Sequence, residues 1–272
     1  MYRISCFADE ISPELGEQIA FMKENGIRFV ELRSVWNKNV SDLTDDELKT
    51  IKAQFAAAGI AVSSIGSPIG KVGIEDDFGP HFKRFERVVQ IARMMDAPYI
   101  RIFSFFMKKE EYGRHEQTVV GRLDSMLRVA AANDIRLLHE NEANIFGEPS
   151  LNCKKLFDAL ESDFFGAVFD PSNFVAAGED PLASYENVAK YVEYVHVKDS
   201  VRESGRIVVA GRGDGRIREL LDALRGRDGM FLSLEPHLSE AGQFRGFTGP
   251  NLFKEDLEAL RAILKELNIR YE

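Results

Sequence analysis

The chain is 272 residues long, 44% apolar, and carries a net charge of −9. That length suits one large domain or two small ones, and the apolar fraction is enough for a sizeable core. The acidic balance argues against a nucleic-acid or acidic-membrane partner, because phosphate binding draws on a basic face.

Two isolated cysteines, Cys6 and Cys153, fit a reducing compartment better than a disulfide framework. The opening MYRISCFADE lacks the basic segment and long apolar run of an export signal, and no stretch approaches 18 consecutive apolar residues. A cytoplasmic protein without a membrane span is therefore expected.

In chain order, the first short apolar run is RISCF at 3–7. After it Ser12-Pro13 offers a helix cap, and Leu15, Ile19 and Met22 form a helical stripe that Gly26 stops. The second run, RFVEL at 28–32, leads to TDDE at 44–47, a capping box in which Thr44 and Glu47 exchange hydrogen bonds. Leu48, Ile51 and Phe55 follow at helical spacing and Gly59 ends them. The third run, AVSSI at 61–65, opens into a loop expected to be flexible (SSIGSPIGK, 63–71), and then come Phe82, Phe85 and Val89. YIRIF at 99–103 precedes the stripe Leu123, Met126, Leu127 and Ala130, and IRLLH at 135–139 precedes Leu156, Phe157 and Leu160. GAVFD at 166–170 precedes the shortest helical pattern, around 181–190. YVHVK at 194–198 precedes Ile217, Leu220, Leu221 and Leu224. FLSLE at 231–235 precedes Leu257, Leu260, Ile263, Leu264 and Leu267.

Eight strands alternating with eight helices predict parallel strands joined by crossovers. Units of this length, in a chain of this size, predict a single-domain (β/α)8 TIM barrel over residues 1–272. An open, doubly wound sheet would place a glycine-rich phosphate turn after the first strand. FADEISP has no glycine there.

In such a barrel the reacting groups stand at the C-terminal strand ends. The fifth strand ends in Glu140, the sixth in Asp170, the seventh carries His196, and the eighth ends in Glu235. Singly, each has an ordinary reading: a cap, a turn residue, an ion-pair partner or a hydrogen-bonded core histidine. Four successive strands that each deliver one such group to the same rim point to a shared metal site. Three carboxylates and an imidazole suit Mn²⁺ or Mg²⁺ and tolerate Zn²⁺ or Co²⁺. Glu142 reads as a solvated loop charge.

The chain resembles the xylose-isomerase-like TIM-barrel superfamily, in particular its sugar phosphate isomerase/epimerase members. The resemblance spans nearly the whole length, from FADEISPELGEQIAFMKENGIRFVEL through SSIGSPIGK to HVKD, GRGDG and SLEP. HEN, FDPSN, HVKD and SLEP look like the family's metal-ligand segments, which implies Glu140, Asp170, His196 and Glu235 as ligands. Many relatives carry histidine three residues after the aspartate. This chain has Asn173, which can hydrogen-bond a substrate hydroxyl but cannot shuttle a proton.

A divalent ion chelating a ketone oxygen and its neighbouring hydroxyl stabilises the enediolate formed when the intervening C–H proton leaves. One carboxylate takes the proton and a second returns it, to the same carbon in an epimerase or to the next in an isomerase. The resemblance implies Glu140 and Glu235 for these roles, acting on a small-molecule sugar or sugar phosphate. No redox cofactor is called for, and a homo-oligomer follows only by analogy with relatives.

Lys198, Asn173, His237, Arg101 and Arg212 are the candidates for holding the rest of the substrate. Lys198 shares a face with His196 and could instead pair with Glu140 or Glu235. Glu31 and Arg33 share a face and could pair with each other. Arg101 needs an anion if it points inward. The glycines of AGRGDGRI (210–217), with Arg212, could cradle phosphate, although Asp214 also reads as a helix cap. Ser67, Lys71 and Phe7 complete the rim candidates.

Three other functions compete. A metal-dependent dehydratase acting on a keto-inositol or dehydroshikimate-like substrate would share the first proton transfer. A trinuclear nuclease would need several more histidines than the five present. A non-catalytic sugar-binding protein would show a broken ligand set.

Overall fold

The computed structural model describes residues 1–239 and 247–272. Eight parallel strands form the inner wall: β1 (Arg3–Cys6), β2 (Phe29–Leu32), β3 (Ala61–Gly66), β4 (Tyr99–Ile102), β5 (Arg136–Glu140), β6 (Phe165–Phe169), β7 (Val192–Val197) and β8 (Phe231–Leu234). The hydrogen-bonded order is β1-β8-β7-β6-β5-β4-β3-β2, and β1 lies beside β2, so the barrel is nearly closed. All eight strands fall within or beside the eight apolar runs.

The outer ring is α1 (Leu15–Glu24), α2 (Asp45–Ala58), α3 (Phe78–Met94), α4 (Tyr112–Ala131), α5 (Ser150–Ala159), α6 (Pro171–Ala176), α7 (Pro181–Val188), α8 (Ile217–Ala223) and α9 (Pro250–Glu266). The Thr44–Glu47 capping box forms, and Gly59 closes α2 at φ 72°, a left-handed conformation that glycine adopts without strain. Ser12 stands two residues before the N-cap of α1, Glu14, whose amide its hydroxyl accepts while donating to Glu17. The sixth crossover holds two helices, because Asp170-Pro171 starts a short one ahead of the expected 181–190 segment. Asp170 is thus both the end of the β6 segment and the N-cap of α6, its carboxylate accepting the Asn173 amide at 2.9 Å.

Inside the barrel the side chains lie in layers. At the bottom Leu138, Val168, Tyr194 and Phe231 pack with Phe29 and Tyr99. Above them the Ser63 hydroxyl meets Ser5 at 2.6 Å and the Tyr194 hydroxyl at 2.9 Å, so these three buried hydroxyls satisfy one another. Two residues beyond Phe29, Tyr99, Leu138 and Tyr194 come Glu31, Arg101, Glu140 and His196, and four beyond Phe231 comes Glu235. Buried side chains beneath a charged layer keep the local dielectric low, which strengthens the charge contacts above them.

The loop after β3 is pinned where flexibility was expected. Phe103, Phe105 and Phe106 donate to the carbonyls of Ile69, Gly70 and Val72 at 2.8–3.0 Å, and Ser67 Oγ donates to the Arg101 carbonyl at 2.6 Å. Gly70 is required there: at φ 91°, a Cβ would lie 2.1 Å from the Phe103 carbonyl oxygen. No described helix is long and apolar enough to cross a membrane.

Candidate metal centre

Glu140, Asp170, His196 and Glu235 converge at the C-terminal mouth. All four are buried, and one ligand atom from each lies within 4.8 Å of the others. An octahedral ion with bonds of about 2.1 Å spreads its ligand atoms from about 3.0 to about 4.2 Å apart, so the cluster fits a divalent cation with little adjustment. His196 Nδ1 is 3.3 Å from both Glu140 Oε1 and Glu235 Oε2 without hydrogen-bond alignment to either. Asp170 Oδ2 likewise lacks an aligned donor, although Lys198 Nζ is 2.6 Å away. Two buried ligand atoms left without hydrogen bonds at one point are what a cation site requires.

Each ligand is oriented from behind. His196 Nε2 lies 3.1 Å from Glu31 Oε2, and both side chains are fully buried. A carboxylate on the far nitrogen fixes the ring and leaves Nδ1 for the metal. Glu140 Oε2 accepts Arg101 Nη1 at 3.0 Å, and Glu140 Oε1 accepts Asn173 Nδ2 at 3.3 Å. The Arg101 guanidinium also lies 4.5 Å from the Phe103 ring centroid and 5.7 Å from that of Phe7. Asn141 ties the β5 end to the β6 end, exchanging hydrogen bonds with the Asp170 backbone at 2.9 and 3.0 Å. Glu235 Oε1 accepts Arg33 Nη1 at 2.9 Å, and Lys198 Nζ is 3.5 Å from Glu235 Oε2.

The charges follow from these contacts. Burial alone would raise the Glu140 and Glu235 carboxyls. His196 and Arg101 outweigh it for Glu140, and Lys198 and His237 for Glu235, so both are held low and ionised. Asp170 is pushed up, by burial and then by Glu140 and Glu235, against the pull of Lys198. Lys198 stays charged because Asp170, Glu235 and Glu140 overcome its own desolvation.

A second grouping, Glu10, Glu235 and His237, lies on the β1 side. The Arg33 guanidinium stands in it, with Nη2 3.6 Å from Glu10 Oε1 and Nε 2.8 Å from Asp9 Oδ2. His237 Nε2 is 3.2 Å from Glu10 and 3.4 Å from Glu235, and these carboxylates raise its imidazole to about 9 despite burial. The positive charge at this position is therefore supplied by side chains.

Of the substrate-binding candidates, Lys198, His237 and Arg101 line a cavity of about 230 Å³ above Glu140 and Glu235, together with Arg33, Ser67 and Lys71. Asn173 touches Glu140 from an adjoining space. Phe7 packs edge-on against His196, 5.1 Å between ring centroids, and so forms part of the wall. Lys71 pairs with Glu142 at 3.0 Å, which makes Glu142 a partner rather than a free solvated charge. Glu31 and Arg33 do not pair with each other: one serves His196, the other Asp9 and Glu235.

Arg212 is not in the site. Its side chain is 65% exposed and bonds Glu255 at 2.9 Å. The glycine amides of its loop do cradle an anion, but an internal one: the Asp199 carboxylate accepts Gly211, Gly213 and Gly215 N–H at 2.8–2.9 Å. The expected phosphate cradle is thus filled by the chain itself. Sequence reasoning missed the orienting role of Glu31, Asn141 and Glu10; for Glu31 the signal was present, since it lies at a strand end on an inward face.

The match to a family model decides the affiliation: residues 19–269 fit the model described as xylose isomerase-like TIM barrel. The chain belongs to that family. Solved structures of xylose isomerase-like and related barrels share the fold at low identity. The probable 3-DHS dehydratase AsbF of Bacillus anthracis superposes with a TM-score of 0.76 at 17% identity, covering 96% of this chain and 99% of that one. An L-ribulose 3-epimerase gives 0.75 at 17% identity, covering 98% and 96%. A xylose isomerase-like TIM barrel protein from Mycobacterium smegmatis, in complex with magnesium, gives 0.72 at 14%, covering 98% and 97%. Among curated protein sequences none matches significantly.

Proposed function

We propose that this xylose isomerase-like barrel is a divalent-metal-dependent isomerase or epimerase of a sugar or sugar derivative. The observation that carries the reading is the convergence of Glu140, Asp170, His196 and Glu235 within 4.8 Å at the barrel mouth, where Glu140 and Glu235 line the cavity. Mn²⁺ or Mg²⁺ suits the donor set best. When bound, the ion polarises a substrate carbonyl and stabilises the charge left as the neighbouring C–H proton departs.

The protein's own groups do the rest. Glu140 and Glu235 are ionised, stand on either side of His196, and face the same cavity. Either can accept a proton from carbon; the other takes a proton from solvent and returns it to the substrate, and the first then loses its proton to solvent to reset the site. Return to the same carbon from the opposite face inverts it, and return to the neighbouring carbon moves the carbonyl. Glu31 holds the His196 ring so that Nδ1 keeps its place. Arg101 and Arg33 fix the two glutamates while leaving an oxygen of each directed inward. Asn173 donates to Glu140 and to the Asn141 carbonyl, so its amide is a positioning group.

A dehydratase is the second reading, favoured by Lys198: its ammonium lines the cavity beside Glu235 and can protonate a departing hydroxyl. A product of equal mass separates isomerisation from loss of water.

The test is a screen of ketoses, sugar phosphates and keto-inositols with Mn²⁺ in D₂O, read by NMR. Deuterium should enter a carbon next to a carbonyl. Glu140→Gln and Glu235→Gln should each slow that exchange by ~100-fold or more. Full exchange in either variant contradicts the acid/base assignment.

A further inference from the structure

The cavity above the metal centre does not end at Lys198 and His237. A second cavity of about 220 Å³ adjoins it, and Glu142, Lys198 and His237 line both. Each space alone falls short of the roughly 300 Å³ at which small-molecule pockets usually begin, whereas the two together fall inside that range. The second lobe lies between α6 and the hairpin formed by Asp199–Ser200 and Ile207–Val208.

Its chemistry differs from the first lobe. Val175, Ala176, Val201 and Ile207 give it apolar surface. Its hydroxyls are already engaged, Ser172 Oγ donating to Ser200 Oγ at 2.8 Å. Asn173 is committed to Glu140 and Asn141. Arg202 turns to the Glu179 carbonyl at 2.6 Å. The cations of the first lobe are engaged as well: Arg33 faces Asp9 and Glu235, Arg101 faces Glu140, Lys71 faces Glu142 and Lys198 faces Asp170. His237, the remaining cation, faces Glu10 and Glu235, so a phosphate in the first lobe would have to draw a cation away from a carboxylate, which costs more than seating an uncharged group.

We propose that the second lobe is a substrate subsite, and that the substrate carries an uncharged, partly apolar substituent about one ring in size beyond the keto-hydroxyl unit. The inference rests on the proposed function for the location of that unit, and it narrows the substrate from sugars in general to substituted, unphosphorylated ones. The hairpin wall, with Val201 and Ile207 half-buried on it, sets which substituents fit.

A binding experiment that uses no turnover tests it. Saturation-transfer NMR on the wild-type protein, with and without Mn²⁺, compares benzyl β-D-glucopyranoside, methyl β-D-glucopyranoside and glucose 6-phosphate. The benzyl compound should bind at least about fivefold more tightly than the methyl one, with saturation strongest on the ring protons. Val201→Trp and Ile207→Trp, at half-exposed hairpin positions, should each fill the lobe and bring that ratio close to one, while leaving methyl glucoside binding unchanged. Equal binding of the two glycosides, a benzyl preference that survives both variants, or a preference for glucose 6-phosphate overturns the proposal. Failure of the isomerase reading would appear separately, as absent deuterium exchange with every ketone.

Discussion

His196 Nε2 and Glu31 Oε2 are 3.1 Å apart with both side chains wholly out of solvent, and this contact aims the imidazole at the centre of the mouth. Glu31→Gln keeps the shape but weakens the orienting charge. Affinity for Mn²⁺ should fall by about 10- to 100-fold with the fold unchanged, as titration followed by electron paramagnetic resonance would show. An unaltered affinity would mean that Glu31 is only a barrel-filling acid.

The same surroundings hold the metal-free His196 imidazole well above its ordinary 6.5: burial opposes the proton, but Glu140 and Glu31 outweigh it. At neutral pH the metal-free imidazole is therefore protonated, and an ion must displace that proton. Metal binding should release protons, and affinity should climb with pH through neutrality. Calorimetry in buffers of different ionisation enthalpy measures the release. Binding heats independent of buffer would contradict it.

His139 points away from the mouth, and burial lowers its imidazole from 6.5 to about 4. The unfolded chain then takes up the proton first. This contribution to stability is present above pH 6.5 and is lost as pH falls from there towards 4, amounting to at most ~3 kcal/mol. Urea unfolding at pH 7 and pH 4.5 should show the loss in wild type, and His139→Asn should remove that part of the pH slope.

Gly147 lies against the same ring: a Cβ there would approach His139 Cε1 to 2.3 Å and Ser104 Oγ to 3.0 Å. Gly147→Ala should destabilise by about 1–3 kcal/mol in urea unfolding. A neutral result would show that the His139 ring can shift.

Much of this was legible before the structure. The strand ends were readable because a barrel repeats one unit eight times and puts every strand terminus on one rim, so position along the chain converts directly to position in space. The capping box at Thr44 was readable because its geometry is local. What escaped was set by contacts between distant segments. Glu31 serves His196 across the barrel, 165 residues away in sequence. The loop at 63–71 was expected to be flexible, yet backbone bonds to 103–106 hold it. The glycine amides near Arg212 suit an anion, and spacing alone could not reveal that Asp199, twelve to sixteen residues earlier, supplies it. Helix α6 is only six residues long, too short for a periodic stripe.

The central claim is that one divalent ion is gripped by Glu140, Asp170, His196 and Glu235. Elemental analysis of protein purified without chelator and dialysed against excess Mn²⁺, then against metal-free buffer, tests it most directly. The wild type should retain about one ion per chain, and His196→Ala and Asp170→Asn, correctly folded by circular dichroism, should retain little. Wild-type protein that keeps no metal, or variants that keep as much as the wild type, would contradict the account.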